Sequence, residues 1–171
     1  MAEISYLDSN RNSGKPVLPA GRMSTIHCLM IPLKKDILLL PNAAIAEVVA
    51  YRNIDTIDDS PAWLLGHLNW RENMVPVVSF ESATGDEAGI TSNRSSRVAI
   101  LNTLNGNSKL PYIGLLTQGI PHLQVVQSQG VAPADAVDDN ELIRERVMVN
   151  GVAAVIPDID ELEHQLLSAF S

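Results

Sequence analysis

Pro61 to Phe80 read PAWLLGHLNWRENMVPVVSF, and the parsing of the whole chain turns on this stretch. The runs His67–Arg71 and Met74–Phe80 flank the polar pair Glu72-Asn73, as the two strands of a β-hairpin flank its turn. Asn tolerates the left-handed backbone that such a turn demands, so Asn73 is expected to carry it. In front of the hairpin, Pro61-Ala62-Trp63-Leu64-Leu65 predicts a single helical turn closed by Gly66 in left-handed conformation. Pro76 marks an edge strand, because proline has no N–H to give to a ladder. By strand alternation Trp70 should face away from Asn69 and Arg71.

The same grammar repeats on either side. IHCLMIPL and ILLL read as two strands around Lys34-Lys35-Asp36, with Pro32 marking an edge or a bulge. PNAAIAEVVAY (Pro41 to Tyr51) mixes helix-favouring Ala and Glu with β-branched Ile45, Val48 and Val49; we read it as a strand. RNIDTIDDS and residues 81–96 are polar loops. RVAILNTL and LPYIGLLT form a hairpin about Asn105-Gly106-Asn107, and PHLQVV adds a strand before the loop VAPADAVDDN. ERVMVNGVAAVI is a hairpin around Asn150-Gly151, the pair preferred in type I′ turns. Asp158, with Glu161 three residues on, starts a terminal helix whose Ile159, Leu162, Leu166 and Ala169 or Phe170 form a docking face. About eight or nine short strands and one terminal helix predict a mainly β protein built as small barrels or a sandwich. Residues 1–22 are expected to be a flexible leader and residues 23–171 the folded domain.

Composition narrows the function. Hydrophobic residues at 46% can build a packed core, whereas aromatics at 4% supply no base- or sugar-stacking platform. A net charge of −8 repels phosphate backbones, and the longest basic run is Lys34-Lys35, so no nucleic-acid partner is expected. The single cysteine, Cys28, lies in an apolar run and reads as a buried thiol. No apolar run approaches the roughly 18 residues of a membrane span and no signal segment opens the chain; the expectation is a cytoplasmic protein without direct membrane insertion. His27, His67, His122 and His164 are scattered, and Cys28 points to the opposite face from its neighbour His27. Asp55, Asp58 and Asp59, and later Asp135, Asp138, Asp139 and Glu141, lack the glycine and glutamate spacing of a calcium loop and read as solvated loop charge. Neither GxGxxG nor GxxxxGK[ST] occurs. We therefore expect no catalytic residue, no metal site and no cofactor: a binding module, not an enzyme.

The stretch from Pro61 to Phe80 resembles the central signature of CheW-like domains, the adaptors of bacterial chemosensory arrays. It follows their proline-led turn, glycine, Asn-hydrophobic-Arg strand and hydrophobic-Pro-Val strand. LLLPNAAIAEVVAY, PYIGLLTQGI and NGVAAVIPDIDELE are similar to further family segments in the family's order, over roughly Ile26 to Leu166. The resemblance implies two small five-stranded β-barrels sharing a hydrophobic core, with a C-terminal helix. It also implies partners: the regulatory domain of a CheA-like histidine kinase and the cytoplasmic tip of a chemoreceptor. LLLPNAAIAEVVAY is most similar to the ChpC-type adaptors of type IV pilus systems, which implies a role in twitching motility. The partner-facing residues carried over are Arg71 and Glu47, with Asn69, Glu72 and Asn73 around them. Asn69 either holds the turn backbone or meets the partner, and Gly66, Pro76 and Gly151 are conformational. Two positions depart from the pattern: Glu72 replaces the glycine after the arginine, and Thr117-Gln118 replaces a Val-Asp pair. The rival reading is an OB- or SH3-like barrel binding another ligand or nucleic acid.

Overall fold

The computed structural model describes residues 24–86 and 91–171; the expected leader lies outside them. The chain starts with β1 (Thr25–Pro32) and β2 (Ile37–Pro41). It then builds β3 (Ile45–Ala50), β4 (Ile54–Asp55), β5 (Leu64–Trp70), β6 (Asn73–Val78), β7 (Arg97–Asn102) and β8 (Tyr112–Thr117). Next come β9 (His122–Gln127), β10 (Val131–Pro133), β11 (Ile143–Val149) and β12 (Val152–Pro157). Helix α1 (Phe80–Ala83) follows β6, and α2 (Ile159–Ala169) ends the fold.

The strands make two six-stranded sheets, β10-β11-β12-β2-β1-β9 and β3-β7-β8-β6-β5-β4. The second sheet is thus inserted whole between β2 and β9 of the first. Each contains two hairpins joined by a short parallel contact, Val155 with Leu38 in the first and Val77–Val78 with Gly114–Leu115 in the second. The short strands β4 and β10 form where loops are expected and extend five longer strands to six on each side.

Side-chain alternation gives each sheet two apolar faces. Leu29, Ile31, Leu38 and Leu40 meet Leu64, Val78, Leu101, Ile113 and Leu115 in one core shared by the sheets, closed by Leu162 and Leu166 of α2. Their strand neighbours Cys28, Met30 and Leu39 face away into a core private to the first sheet, with Val126, Val147 and Val149. The second sheet has its own private core of Leu68, Trp70, Val75, Val77, Val98 and Ile100. Burial on both faces is why ILLL and RVAIL read as unbroken apolar runs. The mainly β architecture with a shared core and one terminal helix is as expected.

Several local expectations are corrected. Pro61–Trp63 is a turn, closed by Leu64 N–H donating to the Pro61 carbonyl at 2.9 Å, and not the start of a helix. Leu64 to Trp70 then bury every second residue, as a strand does. Gly66 therefore sits inside β5, at a register shift against β6, with φ +144°. A Cβ there would stand 2.2 Å from the Asp55 carbonyl oxygen of β4, so close approach of a neighbouring strand requires the glycine. Pro76 is not on an edge strand, since β6 lies between β5 and β8; β8 pairs only from Val77 onward, so no ladder bond to it is asked of Pro76. Pro32 ends β1, itself an interior strand, beyond the last residue paired with β9, Met30. Asp138 is not simply solvated: it accepts from Arg146 Nε at 2.7 Å, while Arg146 also reaches Asp36 at 3.1 Å.

Two carboxylates are buried with backbone donors as partners. Glu81, in the region read as loop, accepts from the Lys34 and Lys35 amides at 3.0 and 2.8 Å and holds the β1–β2 turn. Glu163 of α2 accepts from the Leu104 amide and from Asn105 Nδ2, clamping the β7–β8 turn to the helix. Such charge-assisted bonds offset the cost of removing a carboxylate from water. Cys28 is buried as expected, and Asp158 caps α2 by accepting from the Glu161 amide at 3.1 Å.

Candidate functional site

The β5–β6 hairpin ends in a two-residue turn. Trp70 pairs with Asn73, and the residues between them, Arg71 and Glu72, have φ of +48° and +65°. The expected turn pair Glu72-Asn73 is therefore shifted by one residue. Burial of Leu68 and Trp70 fixes the register of β5, and the first residue free to turn is Arg71. Asn73 contributes from the strand side, its Nδ2 donating to the Arg71 carbonyl at 2.9 Å. Asn69, expected either to hold the turn backbone or to meet the partner, stands exposed opposite Met74.

Because Arg71 lies in the turn, strand alternation does not govern it. Its guanidinium folds back over Trp70, with Cζ 4.8 Å from the indole centroid, contrary to the expectation that the two face apart. Glu47 completes the group. It sits on β3 next to a register shift against β7, an irregularity of the kind that re-aims a side chain. One carboxylate oxygen, Oε2, receives both the Trp70 indole N–H at 2.8 Å and Arg71 Nη2 at 3.0 Å. Trp70 is anchored from below by an edge-to-face contact with Tyr112, centroids 5.0 Å apart. The arginine side chain remains 70% exposed.

The result is a cation held at a hairpin turn by two contacts, a carboxylate and an indole that are themselves hydrogen-bonded to each other. An exposed ion pair alone is worth about 0–1 kcal/mol, so the pair does little for the fold. Its effect is to restrict the rotamers of Arg71 and present donors in a fixed orientation. Beside it runs a shallow cleft of about 240 Å³ lined by Val49, Arg52, Asn53, Leu68, Asn69 and Trp70. Arg52 opens the polar stretch RNIDTIDDS and carries no signal of its own in the sequence; the fold brings it to the same cleft as Asn69. A surface with guanidinium donors and an indole wall suits carbonyl or carboxylate groups of another polypeptide.

Gly151 and Asn150 form the turn between β11 and β12, on the other sheet and not at this site. At the second departure from the family pattern, Thr117 is buried and its hydroxyl donates to the Gly119 carbonyl, while the Gln118 amide bonds the Pro32 carbonyl at 2.8 Å and so ties β8 to β1. His67 stacks on Phe170, centroids 5.8 Å apart, which pins the end of α2 to β5. Among the described residues no group of three or more His, Cys, Asp or Glu is placed to hold a metal ion, and no helix is long and apolar enough to cross a membrane.

Residues 27–166 match the family model described as CheW-like domain. Among solved structures the chain is similar to the scaffolding protein TtCheW from Thermoanaerobacter tengcongensis. The match has a TM-score of 0.67 and 17% identity and covers 82% of this chain and 89% of that one. At that identity the likeness shows the fold alone. No curated protein matches the chain.

Proposed function

The chain belongs to the CheW-like domain family of non-enzymatic, chemotaxis-type scaffolds, and from that premise we propose that it couples a CheA-like histidine kinase to chemoreceptors. In this reading the hairpin tip, with Arg71, Glu47, Asn69, Glu72 and Asn73, docks in the cytoplasm onto the kinase regulatory domain or the receptor tip. The observation that carries it is the Arg71 guanidinium, fixed by Glu47 and Trp70 yet largely exposed to solvent. An orientation maintained where it adds little stability is what a recognition residue needs. The stretch LLLPNAAIAEVVAY supports assignment to a type IV pilus system, and hence to twitching motility. Glu72 adds a negative charge beside Arg71 and tunes the tip toward a partner with its own cation nearby.

Capture of the purified chain by an immobilised CheA-like regulatory domain, and separately by a receptor cytoplasmic tip, tests the reading. Arg71→Glu should abolish capture while leaving the melting temperature close to the parent's. Undiminished capture refutes the proposal, and a large fall in melting temperature makes Arg71 a structural residue. Loss of twitching on deletion of the gene, with flagellar chemotaxis intact, tests the pathway.

A further inference from the structure

The sequence holds two Asn-Gly pairs, Asn105-Gly106 between β7 and β8 and Asn150-Gly151 between β11 and β12. Asparagine is thermolabile, because the backbone nitrogen of the next residue can attack its side-chain carbonyl carbon. A following glycine has no Cβ to obstruct the approach. Both pairs face water, and a Cβ at Gly106 or at Gly151 would meet no atom within 4 Å. Access does not separate the two sites; their partners do.

Asn105 Nδ2 donates to Glu163 Oε2 at 2.9 Å and to Asp160 Oδ1, which holds its side chain against α2. Attack requires that amide to turn away from both carboxylates, and they repel the negative charge that builds up on it. Breaking one hydrogen bond to a charged acceptor slows such a step about tenfold or more. Asn150 carries neither restraint. Among the described residues no hydrogen bond holds its side chain, while its backbone N–H is donated to the Gly130 carbonyl at 3.1 Å. The run Val147 to Ile156, VMVNGVAAVI, has no charged side chain. The end of a hairpin in water opens at little cost, and opening lets the Gly151 nitrogen swing toward the Asn150 side chain.

We propose that Asn150 is a site of spontaneous covalent modification in the folded chain, converted to aspartate and isoaspartate, and that the contacts with α2 spare Asn105. The Gly151 nitrogen gives its proton to solvent base and bonds to Asn150 Cγ. The Cγ–Nδ2 bond breaks, and Nδ2 leaves as ammonia with a proton from solvent. Water then adds to one carbonyl of the resulting cyclic imide; the ring C–N bond at that carbon breaks and its nitrogen takes back a proton. Opening at Cγ leaves aspartate, whereas opening at the backbone carbonyl leaves isoaspartate, with the main chain rerouted through Cβ and Cγ. Isoaspartate lengthens by a methylene the tight turn between Val149 and Val152, at the residue tied to Gly130 just before β10. The β10–β12 end of the first sheet therefore loosens, and gains negative charge, as the chain ages.

The measurement is peptide mapping by mass spectrometry of the full chain, held at physiological temperature and mildly alkaline pH, in buffer and in concentrated guanidinium chloride. In buffer Asn150 should convert about tenfold faster than Asn105, and both aspartate and isoaspartate should appear at position 150. In guanidinium chloride, where the contacts of Asn105 are gone, the two positions should convert at similar rates. Gly151→Ala should slow conversion at position 150 and leave Asn105 as it was; an unchanged rate at 150 overturns the cyclic route. Equal rates in buffer overturn the proposal, as does silence at both positions in buffer with reaction in guanidinium chloride. The same preference for Asn150 in both media also overturns it, because sequence and not fold would then decide.

Discussion

Two hairpin turns in this molecule have nearly the same backbone and opposite chemistry. Between β11 and β12, Asn150 and Gly151 take φ of +49° and +82°; between β5 and β6, Arg71 and Glu72 take +48° and +65°. Asn-Gly occupies left-handed backbone cheaply, whereas residues with long side chains lose roughly 1–2 kcal/mol each there. The first turn is built from residues suited to turning. The second is imposed by the registers of β5 and β6 and by the Asn73, Trp70 and Glu47 contacts, and it carries an arginine that a cheaper turn would lack. Strain held in place by its surroundings, at a position of little value to the fold, is what sets the second turn apart from the first.

The comparison can be broken or sharpened by substitution. The largest effect is expected at Gly66→Ala, where the added carbon meets the Asp55 carbonyl: a loss of about 3 kcal/mol by chemical denaturation, with the β4–β5 contact and the site both disturbed. Gly151→Ala meets no atom within 4 Å, so only its dihedral is penalised. It should lose about 1–2 kcal/mol and leave partner capture intact; a loss as large as at Gly66 would mean that the turn packs against something else. Glu72→Gly relieves the second turn while keeping Arg71, and should gain up to about 1 kcal/mol in thermal or denaturant unfolding. No gain would show that the turn is unstrained.

The smallest effect concerns Asp138, in the loop between β10 and β11. The hydrogen bond from Arg146 holds its carboxyl below the ordinary value of 3.8. A depressed folded value means that the contribution is present above the ordinary value and is lost as the pH falls through the folded one. The parent should therefore lose its stability margin over Asp138→Asn in acid denaturation below about pH 4, and the margin should stay well under 1 kcal/mol, since the group is partly exposed. A difference unchanged down to pH 2 would exclude titration of this pair.

What could be read in advance was what neighbouring residues decide among themselves. Asn150-Gly151, the Asp158 cap and the β7–β8 hairpin are local, and their signals lie within a few residues. The turn at Arg71 was misplaced by one position because Asn73 is the better turn former, while the burial of Leu68 and Trp70 on the far side of β5 sets the register. Gly66 was read as a helix end because Trp63-Leu64-Leu65 resembles a helical turn, and β4, whose carbonyl demands the glycine, is too short to signal itself. The site itself was only half legible. Family likeness pointed to Arg71 and Glu47, but the indole that joins them was assigned to the opposite face. Glu81 and Glu163 look like surface charge because their partners are amides more than forty residues away.

The insertion of one sheet inside the other has a consequence for how the chain assembles. Strands β3 to β8 pair among themselves, so their ladder is complete once β8 has emerged, while the face it shares with the first sheet is covered later. By contrast, β1 must wait for β9 and β2 for β12, the last strand to emerge, before the outer edge of each is covered. Pairing across such a separation is slow, and until it happens the open β2 edge is a template for another chain. A product truncated before Val152 would carry the β5–β6 hairpin on a body unable to close its first sheet, and aggregation of such products should begin at β2.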